Sequence, residues 1–146
     1  MQASKLFLLS LSILLLSCQD RHLQFHSSQY PKKANAPFSD AVTVGNTIYL
    51  SGQLGMDHHS RKLVPGGIKA QTKQAIVNIS EVLQLHDSSL DQVVSCTVIL
   101  ADMSDFSAFN EVYRGYFKNK PARTTFAASG LARNAKVEIA CVAIKK

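Results

Sequence analysis

The chain has 146 residues, 46% of them hydrophobic and 18% charged, which is the length and composition of one globular domain with a single core. Its three cysteines form no CxxC pair and have no histidine at metal-ligand spacing, which argues against a zinc module and predicts no bound metal. The net charge of +6 is scattered along the chain rather than clustered, so we expect no nucleic-acid partner.

The first seventeen residues have the pattern of a secretory signal peptide. Lys5 precedes an apolar run from Leu6 to Leu16, which is shorter than the roughly 20 residues that a helix needs to span a membrane. The run ends in Leu15-Leu16-Ser17-Cys18, which resembles the lipobox of bacterial lipoproteins, where the cysteine becomes the first mature residue and carries acyl chains. We therefore predict a signal peptide over residues 1–17 and an exported protein anchored to a cell membrane through lipidated Cys18.

An ordinary cleaved signal with a chance cysteine and a buried apolar helix are the alternatives for this segment. Gln19 follows the cysteine where many lipoproteins of the inner membrane carry Asp. This favours the outer membrane, facing the periplasm, if the source has one.

Residues 18–36 are predicted to be the lipidated cysteine and a tether, ahead of a globular domain at residues 37–146. The segment is polar, contains one proline with another directly after it, and shows neither a helical nor a strand period. Lys32 and Lys33 are interpreted as solvated linker charges, with contact to anionic lipid headgroups as the alternative.

The globular part alternates strand and helix patterns. Two β-rich runs joined by Gly45-Asn46 predict a hairpin, and a loop follows over residues 52–67. Apolar stripes at helical spacing predict two helices, and apolar runs predict three further strands. The predicted elements are strands Ala41–Val44 and Thr47–Leu50, helix Ile68–Leu85, strand Asp91–Leu100, helix Asp102–Phe117, and strands Arg123–Ala128 and Lys136–Ile144.

This order, ββαβαββ, predicts an α/β fold in which two helices cover one face of a mixed sheet. The end of the third strand, Val98-Ile99-Leu100, is nonetheless apolar on both sides, which is typical of a strand covered on both faces. Another copy of the same chain would supply the second cover, so the sequence predicts a homo-oligomer.

Several segments are similar, in collinear order, to the Rid family (the YjgF, or reactive intermediate deaminase, proteins). The resemblance implies a chorismate-mutase-like fold that forms homotrimers with sites in the clefts between subunits. It also implies hydrolysis of reactive enamines and imines, such as 2-iminopropanoate and 2-iminobutanoate, to 2-oxo acids and ammonia without a cofactor. The segments are Pro37–Ala41, Gly45–Gln53, Asp102–Phe106, Asn110–Tyr113, Pro121–Arg123 and Val137–Ile139.

The resemblance assigns roles in substrate binding to five residues. Arg123 matches the arginine that binds the substrate carboxylate in this family. Strand alternation puts Thr125 on the same face, where its backbone amide would also bind the carboxylate. Gly52 matches the residue whose backbone contacts the imine. Alternatively, the glycine is needed only for a tight turn at the end of the strand. Asn110 matches a position bordering the cleft, or is a structural amide. Phe38 stands where a tyrosine is usual and keeps an aromatic wall.

The last strand departs from the family pattern. The resemblance places the catalytic glutamate two residues after Glu138, where this chain has Ala140. Glu138 points to the same face about 6.6 Å further back along the strand and is interpreted as structural or ion-paired. Loss of a general acid–base group costs about 10²–10⁴-fold in rate, so we expect a slow or altered hydrolase of C=N bonds. The alternative is a non-catalytic trimeric receptor for small carboxylates.

Four other residues are assigned no role in catalysis. His58 and His59 are adjacent in a loop without a third ligand, so we expect exposed histidines rather than a metal site. Cys96 and Cys141 lie in apolar runs and are predicted to be buried thiols, with a disulfide as the alternative.

A nuclease role needs a basic groove with stacking aromatic residues, whereas the aromatic residues here stand mainly at core spacings, so we do not expect this role.

Overall fold

A computed structural model describes residues 22–146. The predicted signal peptide and the lipidation site at Cys18 lie outside these residues and stay predictions. Among the described residues, no helix has the length and apolar character that a membrane crossing requires.

Two helices pack on one face of a seven-stranded mixed sheet, which confirms the predicted α/β class. The sheet order is β1-β2-β3-β7-β5-β6, with the short β4 also pairing with β7; β5 and β6 are parallel, and the other pairs are antiparallel. The elements are β1 (Leu23–His26), β2 (Ala41–Val44), β3 (Thr47–Leu50), β4 (Gln53–Leu54), α1 (Gly67–Gln84), β5 (Val93–Leu100), α2 (Phe106–Tyr116), β6 (Ala122–Ala127) and β7 (Val137–Ile144).

Local sequence explains most of these elements. Val44 pairs with Thr47 across a two-residue turn in which Gly45 has a φ of +56°, the conformation that tight hairpins need. Helix α1 buries its apolar stripe, including Ile76, Ile79 and Leu83, against the sheet. Each such side chain contributes about 1.5–3 kcal/mol through removal from water. The core is therefore the layer between the helices and the sheet.

The opposite face of the sheet is open in the single chain. Leu23, Phe25, Tyr49 and Phe126 point to this side, and between 45% and 68% of each side chain is exposed. Two helices cover only one face, as the element order predicted. We call the exposed apolar surface formed by these four residues the open face.

The segment predicted to be an unstructured tether is part of the fold from Leu23 onward. Strand β1 pairs antiparallel with β2, and a short 3₁₀ turn follows at Pro31–Lys33. Lys33 is buried and forms an ion pair with buried Asp40. The prediction that this segment has no strand, and that Lys33 is solvated, was wrong. The strand is only four residues long, too short for a reliable alternation of apolar and polar residues.

Cys96 and Cys141 are free thiols in the core, as predicted. They lie directly opposite each other on β5 and β7. The neighbouring Cys96 thiol and burial raise the pKa of Cys141, so this thiol stays protonated in the core. The interaction with Cys141 lowers the pKa of Cys96.

Candidate functional site

Arg123 is held in place by helix α2. It lies on the edge strand β6, in register with Cys96, and therefore faces the helix layer. Its Nη1 donates a hydrogen bond to Oδ1 of Asn110 at 2.8 Å. Its Cζ atom lies 4.7 Å from the ring centre of Tyr113 and 5.4 Å from that of Phe109. The aromatic residues of α2 thus form a stacking surface for the guanidinium as well as a core.

The Arg123 guanidinium keeps most of its donors free. Asn110 accepts one hydrogen bond, and among the residues that the structure describes no carboxylate pairs with this arginine. A guanidinium has five N–H donors in a planar fork, which matches the two oxygens of a carboxylate. Burial raises the pKa of the Tyr113 phenol, so the group beneath the arginine stays neutral.

A cavity of about 440 Å³ opens beside this arginine, and we call it the arginine cavity. Arg114 and Lys120 line it together with Arg123, while its other lining residues carry no charge. Thr125 is on the same face of β6 as Arg123, and its hydroxyl oxygen is buried without a hydrogen-bond partner among the described residues. The electropositive lining suits a small anion.

A second cavity, of about 260 Å³, contains Phe38, Gly52 and Glu138, and we call it the glutamate cavity. The Glu138 carboxylate packs directly against Gly52, since a β-carbon at Gly52 would overlap its Oε1 atom and the side-chain carbons behind it. A side chain at residue 52 would therefore displace the Glu138 side chain from this position. Phe38 is half-exposed and lines this cavity. Ala140 lines neither cavity.

Within one chain Arg123 and Glu138 point to opposite faces of the sheet. Arg123 is in register with Cys96 and Cys141, which face the helices. Glu138 is three residues before Cys141 on β7, an odd separation, so its side chain points to the open face. The structure thus brings Arg123, Thr125 and Asn110 together on the helix side of β6, and Phe38, Gly52 and Glu138 together around the glutamate cavity.

His58 is buried rather than exposed, which corrects one of the predictions; His59 is exposed. The His58 Nδ1 lies 3.3 Å from Oε2 of Glu81, the atom that accepts a 2.9 Å hydrogen bond from the Tyr30 hydroxyl. Burial lowers the pKa of His58, and the charge of Lys33 lowers it further, so the ring is neutral in the fold. No group of three metal-ligating side chains occurs among residues 22–146.

Sequence reasoning missed the surroundings of His58 and Lys33. Tyr30, Asp40 and Glu81 come from three separate segments, and no local period or motif connects them. Tyr30, in the segment after β1, contacts Glu81 of helix α1, and Lys33 of the same segment pairs with Asp40.

The chain is similar to a known protein family, to named relatives and to solved structures. A family model described as Endoribonuclease L-PSP matches residues 28–145. A Capra hircus protein named 2-iminobutanoate/2-iminopropanoate deaminase is 47% identical over 113 residues, or 77% of this chain and 82% of the relative. The Homo sapiens protein of the same name is 45% identical with the same coverage. The crystal structure of YEO7 from yeast is similar with a TM-score of 0.80 at 37% identity, over 86% of this chain and 100% of that chain.

Proposed function

Because this chain belongs to the Rid (YjgF, endoribonuclease L-PSP) family, we propose that it is an imine deaminase. Its substrates would be 2-imino acids and their enamine tautomers, such as 2-iminopropanoate and 2-iminobutanoate, and its products 2-oxo acids and ammonia. The names of relatives 45–47% identical to it support this reaction.

The observation that carries the proposal is the Arg123 guanidinium. It is oriented by Asn110 and the Tyr113 ring, has no carboxylate partner among the described residues, and opens onto the arginine cavity. An oriented, unpaired guanidinium is suited to bidentate binding of the substrate carboxylate. The Thr125 amide would add a further donor on the same face.

We assign the water-positioning role to Glu138. Its carboxylate packs against Gly52 in the glutamate cavity, beside the residue whose backbone would meet the imine. The expectation of slow catalysis rested on Ala140 occupying the position of the family's glutamate, and Ala140 lines neither cavity. Glu138 therefore replaces the absent carboxylate in this proposal, and the expected rate is that of a deaminase with a general base.

Glu138 accepts a proton from water as the water oxygen bonds to the imine carbon and the C=N π electron pair moves to nitrogen. Glu138 gives that proton to the nitrogen, which leaves a carbinolamine. Glu138 then accepts the carbinolamine hydroxyl proton and passes it to the amino group, as the C=O bond forms, the C–N bond breaks and ammonia leaves. No electron is gained or lost in this hydrolysis.

A complete site would need two copies of the chain. Arg123 and Glu138 lie on opposite faces of the sheet, so one protomer cannot bring both to one substrate. A homotrimer with sites in the clefts between subunits would combine the arginine cavity of one copy with the glutamate cavity of its neighbour. The exposed apolar residues of the open face support such an assembly.

We also propose that the protein works outside the cytoplasm, anchored by a lipid on Cys18. The apolar run and the Leu15-Leu16-Ser17-Cys18 ending support this location. Imines made by exported amino-acid oxidases would then be candidate substrates. Radiolabelled palmitate incorporation into the wild type and its absence in Cys18→Ala would test the anchor, and unlabelled wild type would contradict it.

The reaction is tested by ammonia and 2-oxo-acid release from 2-iminopropanoate and 2-iminobutanoate, generated in situ by an amino-acid oxidase. The purified protein, Arg123→Ala, Glu138→Gln and a no-protein control are compared. We expect acceleration by the wild type, a rise in KM for Arg123→Ala, and a fall of about 10²–10⁴-fold in kcat for Glu138→Gln.

Ala140→Glu separates the two candidate positions of the carboxylate. If Glu138 positions the water, this variant gains no activity. A gain would return the role to position 140. If the folded wild type binds pyruvate through Arg123 but does not accelerate hydrolysis, the deaminase proposal is wrong. The protein is then a receptor for small carboxylates.

A further inference from the structure

The glutamate cavity holds more positive charge than a monocarboxylate substrate needs. Lys33, Arg61 and Arg133 line it, and Glu138 is its acidic lining residue. Lys33 is already neutralised by buried Asp40. Arg61 and Arg133 have no carboxylate partner among the described residues, so together they outweigh Glu138 by one charge.

Both arginines are carried by ordered turns rather than by flexible loops. Arg61 and Arg133 each have a φ of +60°, a left-handed conformation that is costly for a side chain of this size. The first turn is fixed by hydrogen bonds from the Arg61 N–H to the Asp57 carbonyl at 2.9 Å and from the Ser60 N–H to the Asp57 carboxylate at 2.6 Å. Such hydrogen bonds fix the backbone from which the Arg61 side chain reaches the cavity.

The second turn is attached to helix α1. The N–H of Asn134 donates to the Leu131 carbonyl at 3.1 Å, and the N–H of Lys136, just after the turn, donates to Oε1 of Gln71 at 2.8 Å. Arg133 is therefore positioned relative to α1, which also contributes Asn78 to the cavity lining. Both arginines thus line the cavity of Glu138 from hydrogen-bonded turns, and neither has a carboxylate partner among the described residues.

From this charge balance we propose that the preferred substrates carry a second anionic group. They would be imino diacids, four- or five-carbon 2-imino acids with a second carboxylate, which Arg61 and Arg133 select. The inference rests on the proposed deaminase function. Arg123 would bind the carboxylate next to the imine, and the two cavity arginines would bind the distal one by charge-assisted hydrogen bonds.

The test compares 2-iminoglutarate, generated from L-glutamate by a glutamate oxidase, with 2-iminopropanoate, generated from L-alanine by an amino-acid oxidase. We expect kcat/KM to be about tenfold higher for the diacid. In Arg61→Ala/Arg133→Ala, the ratio of diacid to monoacid kcat/KM should fall about tenfold. Because part of the attraction is screened, the ratio should also fall as salt rises to about 0.5 M.

Lys62→Ala is the matched control, because Lys62 is an exposed cation next to Arg61 that does not line the cavity. It should leave the ratio unchanged. Equal kcat/KM values of the wild type for the two substrates would overturn the inference. So would a fall in the diacid-to-monoacid ratio of Lys62→Ala that equals the fall in the double arginine variant. Thermal unfolding of each variant shows whether it is folded.

A binding measurement separates failure of this inference from failure of the deaminase proposal. Calorimetry compares the stable 2-oxo acids 2-oxoglutarate and pyruvate. Hydrolysis of 2-iminopropanoate without any diacid preference rejects only the inference. Tighter binding of 2-oxoglutarate that depends on Arg61 and Arg133, without hydrolysis of either imine, supports the inference and rejects the deaminase.

Discussion

The arginine cavity and the glutamate cavity are built in different ways. The first is made by regular elements: β6 presents Arg123, and one face of α2 presents Asn110 and Tyr113. The second is made largely by turns, with Lys33, Arg61 and Arg133 arriving from three separate segments around Glu138 on β7. Regular elements fix a side chain through local periodicity, whereas turns need support from distant contacts.

The turn-built region should therefore depend strongly on single distant contacts. Lys33→Met leaves the Asp40 carboxylate buried without its ion pair, which typically costs about 3–5 kcal/mol of unfolding free energy. Urea unfolding measures the change. Lys32→Met is the matched control, since Lys32 is exposed and should have almost no effect. Equal stability of the two variants would show that the turn at Pro31–Lys33 is not part of the folded structure.

The close approach of Gly52 to Glu138 gives the next largest effect. In Gly52→Ala the added β-carbon overlaps the Glu138 side chain and displaces the proposed base, so we expect kcat to fall at least about tenfold. Gly130→Ala is the control, because a β-carbon there meets no atom within 4 Å. Steady-state kinetics on 2-iminopropanoate provide the measurement. Unchanged kcat in Gly52→Ala would remove Glu138 from the mechanism.

A smaller effect is expected in the regular region, where several contacts share the positioning of Arg123. Asn110→Ala removes the 2.8 Å hydrogen bond to the guanidinium but leaves the Tyr113 and Phe109 rings in place. We expect KM to rise about fivefold to tenfold with little change in kcat. Ser107→Ala, on the exposed side of α2, should change neither constant. A fall in kcat alone would place Asn110 at the reacting atoms.

The pH dependence of stability is expected to be the smallest of these effects. Burial lowers the pKa of His58 in the fold, so the unfolded chain binds more protons as the pH falls below about 6.5. The contribution of His58 to stability is then complete above pH 6.5 and is lost as the pH falls through the folded-state pKa. Urea unfolding at pH 8 and pH 5.5 should show less pH dependence in His58→Asn than in the wild type.

His59→Asn controls for the loss of an exposed neighbouring histidine and should keep the wild-type pH dependence. Burial also lowers the pKa of His86, so His58→Asn retains part of the pH dependence of the unfolding free energy. If the unfolding free energy of the wild type and that of His58→Asn depend on pH equally, the buried ring becomes protonated without loss of folding stability.

Much of the fold could be predicted because its signals are local. The Gly45-Asn46 turn, the apolar stripe of α1 and the aromatic stripe of α2 each lie within one short window of sequence. Strand β1 was missed because four residues give too short a pattern, and its place is fixed by pairing with β2. Burial of His58 was missed because Tyr30 and Glu81 are distant in sequence.

The sequence by itself determined the order of the main elements and the family resemblance, and it named Arg123, Asn110 and Gly52 as candidate site residues, because periodicity and motif spacing are properties of neighbouring residues. Only the tertiary structure decided that Glu138 rather than position 140 meets Gly52. It also decided that Arg123 and Glu138 point to opposite faces of the sheet, and that Arg61, Arg133 and Glu138 line one cavity. Those relations depend on strand register and on turns brought together across the sheet, and no local pattern carries that information.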